Sequence, residues 1–146
     1  MAGSAATEGF DRLKNLTGSW TGKTSKGDVV NVSYSLVSNG SALVETEQPS
    51  KEDSMVTVYH LDGQNLILTH YCSSGNQPRM KADLNSNNKN SLSFTMFDAT
   101  NMPAKDAPHM NNLVVTFLDK DHFTQQWTFI NQGKPESEEF TFERSK

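Results

Sequence analysis

The sequence predicts an all-β protein, a single up-and-down antiparallel barrel of about ten strands behind a short N-terminal helix. Two observations lead there. Runs of alternating apolar and polar residues recur roughly every ten residues, with turn residues between them. The connections, taken alternately, fall into two classes. One class, 38–41, 62–65, 86–90 and 119–121, is short and rich in Asn, Asp and Gly, whereas 25–27, 49–53, 74–78, 99–110 and 132–136 are mostly longer and hold every proline. Alternate connections of a meander lie at opposite ends, so tight turns gather at a floor and long loops at a mouth.

Length and charge narrow the function classes. A chain of 146 residues suits one domain, spanning 1–146, with one sizeable core. Against 17 Asp and Glu stand 13 Lys and Arg, a formal net charge of -4 with no basic cluster, so nucleic acid is not an expected partner. No apolar run approaches the roughly 20 residues that span a bilayer, and MAGSAATEGF lacks a basic and then apolar leader, so the chain reads as soluble with no membrane partner. Cys72 is the single cysteine, which excludes an internal disulfide and leaves the compartment open between cytoplasm and, after removal of a leader, periplasm or exterior. The three matches to the glycosylation acceptor pattern, at Asn15, Asn31 and Asn39, carry no weight without a signal peptide. Oligomeric state is not legible.

Taken in order, residues 7–16 place Phe10, Leu13 and Leu16 at helical spacing behind Thr7 as N-cap, with Glu8 and Asp11 in the first turn. Strands are expected at 18–25, 28–37, 41–48, 54–62, 65–73, 79–85, 91–98, 111–119, 122–131 and 137–144. The second strand puts Val30, Val32, Tyr34 and Leu36 inward, against Asn31, Ser33 and Ser35 outside. Asn39-Gly40 is the strongest hairpin signal, and a two-residue type I′ loop there pairs Leu36 with Leu43, Tyr34 with Glu45 and Val32 with Glu47. That register carries Glu45 and Glu47 inward; a three-residue loop would instead leave Ala42, Val44 and Thr46 inside. The Asp62-Gly63 turn sets Leu61 opposite Leu66, Tyr59 opposite Leu68, Thr57 opposite His70 and Met55 opposite Cys72, all on one face, which sends His60 to the other. Alternation sends Arg79 outward with Lys81 and Asp83, although a guanidinium at the mouth could grip a carboxylate or phosphate. The long 99–110 loop has the length of a lid.

Phe10, Leu13 and Leu16 followed by Gly18-Ser19-Trp20-Thr21-Gly22 resemble the opening of the calycin superfamily, in which a short helix precedes a G-x-W on the first strand and the Trp plugs the barrel floor. Arg144, at the end of the last strand, stands where lipocalins carry an arginine over that Trp. The resemblance implies that Arg144 covers Trp20, with first and last strands paired to close the barrel. Ten strands suit the fatty-acid-binding and nitrobindin-like branches better than the eight-stranded lipocalins, and the chain is similar to bacterial lipocalin-like proteins with no assigned activity. Haem binding of the nitrobindin kind calls for a proximal histidine on a late strand, whereas residues 123–146 contain none and Thr24 replaces the third glycine of the fuller motif.

A ten-stranded barrel encloses more room than about eight strands, whose interior side chains nearly fill it, so an internal cavity is expected. The expected ligand-binding set is Tyr34, Glu45, Thr57, Tyr59, His70, Cys72 and Met96. An interior carboxylate needs a partner or a raised pKa, an imidazole titrates near neutrality, and Met is adaptable apolar surface. The histidines show no metal-ligand spacing, so no metal is expected. These residues point to binding of a small apolar or amphipathic ligand without a cofactor, or alternatively to a small enzyme using Glu45 or His70 as general base.

Overall fold

The computed structural model describes residues 4–85 and 88–146. It contains α1 (Ala5–Lys14) and ten strands: β1 (Gly18–Thr24), β2 (Val29–Val37), β3 (Ala42–Pro49), β4 (Met55–Asp62), β5 (Asn65–Tyr71), β6 (Gln77–Ala82), β7 (Ser91–Thr100), β8 (His109–Asp119), β9 (His122–Asn131) and β10 (Lys134–Arg144). Every strand pairs antiparallel with its neighbours in sequence, and β1 pairs with β10 to close the barrel. The expected turn at 86–90 falls partly outside the described residues.

Turn chemistry sets the register. Ser38, Asn39 and Gly40 all adopt positive φ, 53°, 58° and 77°, and the ladder closes at Val37 and Ala42, so the expected two-residue loop is a four-residue one, 38–41, which keeps the same register. Leu36 therefore pairs with Leu43, Tyr34 with Glu45 and Val32 with Glu47, and both glutamates turn inward. At the second hairpin Gly63 has φ 58°, and Thr57 pairs with His70, Tyr59 with Leu68 and Leu61 with Leu66. The ladder ends at Val56 and Tyr71, so the expected pairing of Met55 with Cys72 does not form. His70 is buried, and the neighbouring face holds His60, half-buried and bonded to the Leu61 carbonyl.

The floor is closed by α1, which packs on β4 and β5, and by the segment after it, which bonds β1 and β10. The helix starts earlier than the sequence reading placed it: Ser4 is the N-cap, its hydroxyl accepting from the Thr7 N–H, and Thr7 lies inside the first turn. Ala6, Phe10 and Leu13 are buried, and a Cβ on Gly9 would lie 3.1 Å from Leu66 and 3.2 Å from Leu92, so the helix backbone sits close on the barrel end. Leu16, beyond the helix, is buried and accepts a hydrogen bond from the Trp20 indole at 2.7 Å. Arg144 lies 4.3 Å over the Trp20 ring and donates to the carbonyls of Asn15, Thr17 and Lys120. Gly22 matters for the same contact zone, because a Cβ there would come within 2.5 Å of the Phe142 ring.

Alternation gives the face of a residue but not its depth, and two expectations fail on that point. Leu36 is on the inner register of β2, yet at the floor end it is 41% exposed. His109, expected in a mouth loop, opens β8 and is buried, its Nδ1 2.7 Å from the Ala107 carbonyl. The loop before it is pinned, since the buried Asn76 amide donates to the Pro108 carbonyl at 2.9 Å.

Candidate functional site

Strand register stacks the interior in layers. Leu43, Tyr59, Leu68 and Met80 form a mainly apolar layer toward the floor, each paired with the next across β3 to β6. One step toward the mouth the same ladders place Tyr34, Glu45, Thr57 and His70 side by side across β2 to β5. A further step brings Val32, Glu47 and Met55. The interior thus changes from hydrocarbon to polar groups partway along the barrel.

Across from this row stands β9, whose Phe123, Gln125 and Trp127 share the inner face. Tyr59 donates its hydroxyl proton to Glu45 Oε1 at 2.8 Å, and the Gln125 amide donates to the same oxygen at 3.2 Å and to the Tyr34 hydroxyl oxygen at 3.0 Å. Trp127 in turn donates from its indole to Gln125 Oε1 at 3.0 Å, which fixes which way the amide points. In a second pair, Thr57 Oγ1 lies 2.8 Å from His70 Nδ1, and the imidazole packs against Trp127 with ring centroids 4.6 Å apart. The Glu45 and Glu47 carboxyls hydrogen-bond each other, whereas the buried His70 Nε2 has no protein partner. Buried polar atoms are nearly always bonded, so His70 Nε2 calls for an explanation.

Burial governs the protonation states. It raises the Glu45 carboxyl, and hydrogen bonds from Tyr59, Tyr34 and Gln125 act against that rise. Glu47 is raised well above the carboxylate range, first by burial and then by the charge of Glu45, with Glu52 and Glu138 adding to it. Glu47 is therefore the member that keeps a proton. Tyr34 and Tyr59 are raised by burial and then by Glu45, so both stay hydroxyl donors. Burial lowers His70 to about 4, which leaves it neutral near pH 7.

His70 and Glu47 also line a cleft of about 170 Å³ whose walls include Val30, Met55, Met110, Trp127 and Phe140. Lys26, Lys51, Glu52 and Glu138 stand on the same cleft. A wider cavity of about 330 Å³ shares Met55, Met110, Trp127 and Phe140 with it and adds Cys72 and Phe129. The two spaces therefore adjoin at these side chains.

Of the expected site residues, Tyr34, Glu45 and Tyr59 meet in one network and Thr57 and His70 in the other. Cys72 lines the outer cavity, and Met96 is half-buried on β7 beside Met80, away from the cleft. Arg79 does face outward, where it grips the Asp98 carboxylate with two N–H groups. Gln125 and Trp127 were not among the expected residues, although their position two and four residues after the inward Phe123 carries the signal.

Among the described residues no three His, Cys, Asp or Glu side chains are placed to hold a metal ion. On β9 and β10 the one histidine is His122, exposed and bonded to Asp119, so the late strands place no interior histidine for haem of the nitrobindin kind.

No family model matches the chain, and no curated protein matches it in sequence. In fold it is similar to Rv2717c of M. tuberculosis, with TM-score 0.64 and 16% identity over 94% of this chain and 97% of that one. It is similar as well to a protein of unknown function from the DUF3598 family of Nostoc punctiforme, with TM-score 0.61 and 11% identity over 91% of this chain. Here the chain spans 48% of the other's length. At these identities the likeness is one of barrel fold.

Proposed function

We propose that the barrel is a calycin-like binding protein that takes a small amphipathic molecule through its mouth, with the ligand's polar end on Glu47 and His70 and its apolar body along Met55, Met110, Trp127 and Phe140. The carrying observation is that the buried His70 Nε2, which has no protein partner, and the Glu47 carboxyl line a cleft with apolar and aromatic walls, where a ligand's polar end can bond them. The calycin assignment is supported by the glycine at Gly18, where φ is 124°, by Trp20 two residues later, and by Arg144 over the indole.

A binding role accounts for these groups better than a general-base role. A base works best when its pKa lies near the working pH, whereas His70 is held near 4. Glu45 Oε1 is taken by Tyr59 and Gln125.

The test is titration with the neutral fluorophore N-phenyl-1-naphthylamine and displacement by short-chain amphiphiles. One saturable site is expected, weakened at least tenfold in Met110→Trp, which fills the mouth wall. No binding to the folded wild-type protein, or binding that Met110→Trp leaves unchanged, contradicts an interior site.

A further inference from the structure

Resting on the binding role above, we infer that the ligand's polar end is a protonated amine, so that the barrel takes an amphipathic organic cation rather than a fatty acid or a neutral lipid. The inner end of the cleft offers oxygen and nitrogen acceptors without offering a cation. Among the described buried residues there is no Lys or Arg, while Glu47 lies buried on the cleft wall with Glu45 hydrogen-bonded to it, an acidic pair with no buried cation to balance it. His70 adds a second polar group to the cleft, because Thr57 Oγ1 lies on Nδ1 and leaves Nε2 unpartnered on the cleft wall. With the imidazole proton on Nδ1, donated to Thr57, Nε2 accepts from an N–H of the ligand.

The remaining wall agrees with this chemistry. Trp127 and Phe140 present aromatic surface on the cleft, and an alkylammonium gains from such faces when water is excluded. At the mouth the two cations are already engaged, Lys26 with Glu138 at 3.9 Å and Lys51 with Asp28 at 2.9 Å. A carboxylate head would find no buried positive partner and would face Glu47. A metal ion would find too few ligands.

Proton balance makes the inference measurable. Glu47 faces Glu45 on its own strand, Glu52 from the following loop, Glu138 from β10, and the hydroxyls of Tyr34 and Tyr59, with Lys26 and Lys51 on the same cleft. An ammonium placed there favours the ionised carboxylate, so Glu47 gives up its proton to solvent as the cation enters. No covalent bond changes.

Decylamine, decanol and decanoate should be compared by calorimetry near pH 7 in two buffers of different ionisation enthalpy. The expected result is one site for decylamine, at least tenfold tighter than decanol, with release of up to one proton per ligand and with decanoate weakest. In Glu47→Gln, checked for folding by circular dichroism, the amine's advantage over decanol and its proton release should both disappear. Decanoate binding as tightly as the amine, or equal binding of amine and alcohol without proton release, overturns the cationic ligand and leaves a binding barrel. Failure of all three amphiphiles to bind folded wild-type protein overturns both. Proton release and the ranking are read on wild-type protein, so the inference stays testable if the variant fails to fold.

Discussion

Glu47 and His70 are buried ionisable groups whose proton affinities have moved in opposite senses relative to net charge, and their effects on stability oppose each other over part of the pH range. An unfolded glutamate loses its proton near about pH 4.3, whereas folded Glu47 holds it to higher pH, so stability falls as pH rises above that value. Unfolded histidine gains a proton below about 6.5 while folded His70 resists until about 4, so stability is lost as pH drops through that window. Between about pH 4.5 and 6.5 the two slopes offset one another. Glu47→Gln should gain stability relative to wild type toward about pH 8 and should lose it more steeply on acidification, by up to about 3 kcal/mol for the full His70 shift. Urea midpoints across the range check this. Parallel profiles for wild type and Glu47→Gln would contradict the assignment of the proton to Glu47.

At the scale of elements, the account turns on how β10 closes over β1. Trp20 and Arg144 are paired across that seam, and the guanidinium bonds three carbonyls of the floor besides covering the indole. Arg144→Ala should destabilise by roughly 1–3 kcal/mol, from the lost cation–π contact and the carbonyls left without a donor. With Trp127→Phe as background, the emission of Trp20 should shift as well. Unchanged melting and emission together would mean that the seam does not depend on this contact. The seam was legible because the G-x-W and the terminal arginine mark both of its strands. The start of α1 was not, because Ser4 and Thr7 are both good N-cap residues, and only the Thr7 N–H donating to Ser4 decides between them. The direction of Glu45 and Glu47 was open for a related reason: loops of two and three residues at Asn39-Gly40 give opposite faces, and the four-residue loop that forms over 38–41 has the parity of the two-residue one.

For the whole molecule, the two classes of connection were enough to predict ten strands, a floor and a mouth, since alternate loops of a meander cannot lie at the same end. What escaped the sequence is depth and cross-barrel contact. Cys72 and Met96 were assigned to the site by face and lie respectively at its outer rim and away from it, while Gln125 reads as a surface amide until the barrel closes and brings β9 opposite β3. The central claim is that a ligand's polar end reaches His70 Nε2 from the mouth. Imidazole nitrogen resonances, recorded by NMR during titration with whichever of decylamine and decanol binds more tightly, test it most directly. The account predicts that the His70 Nε2 resonance moves and saturates at one equivalent while those of His60 and His122 stay still; a ligand that binds without moving His70, or moves only the outer histidines, would contradict it.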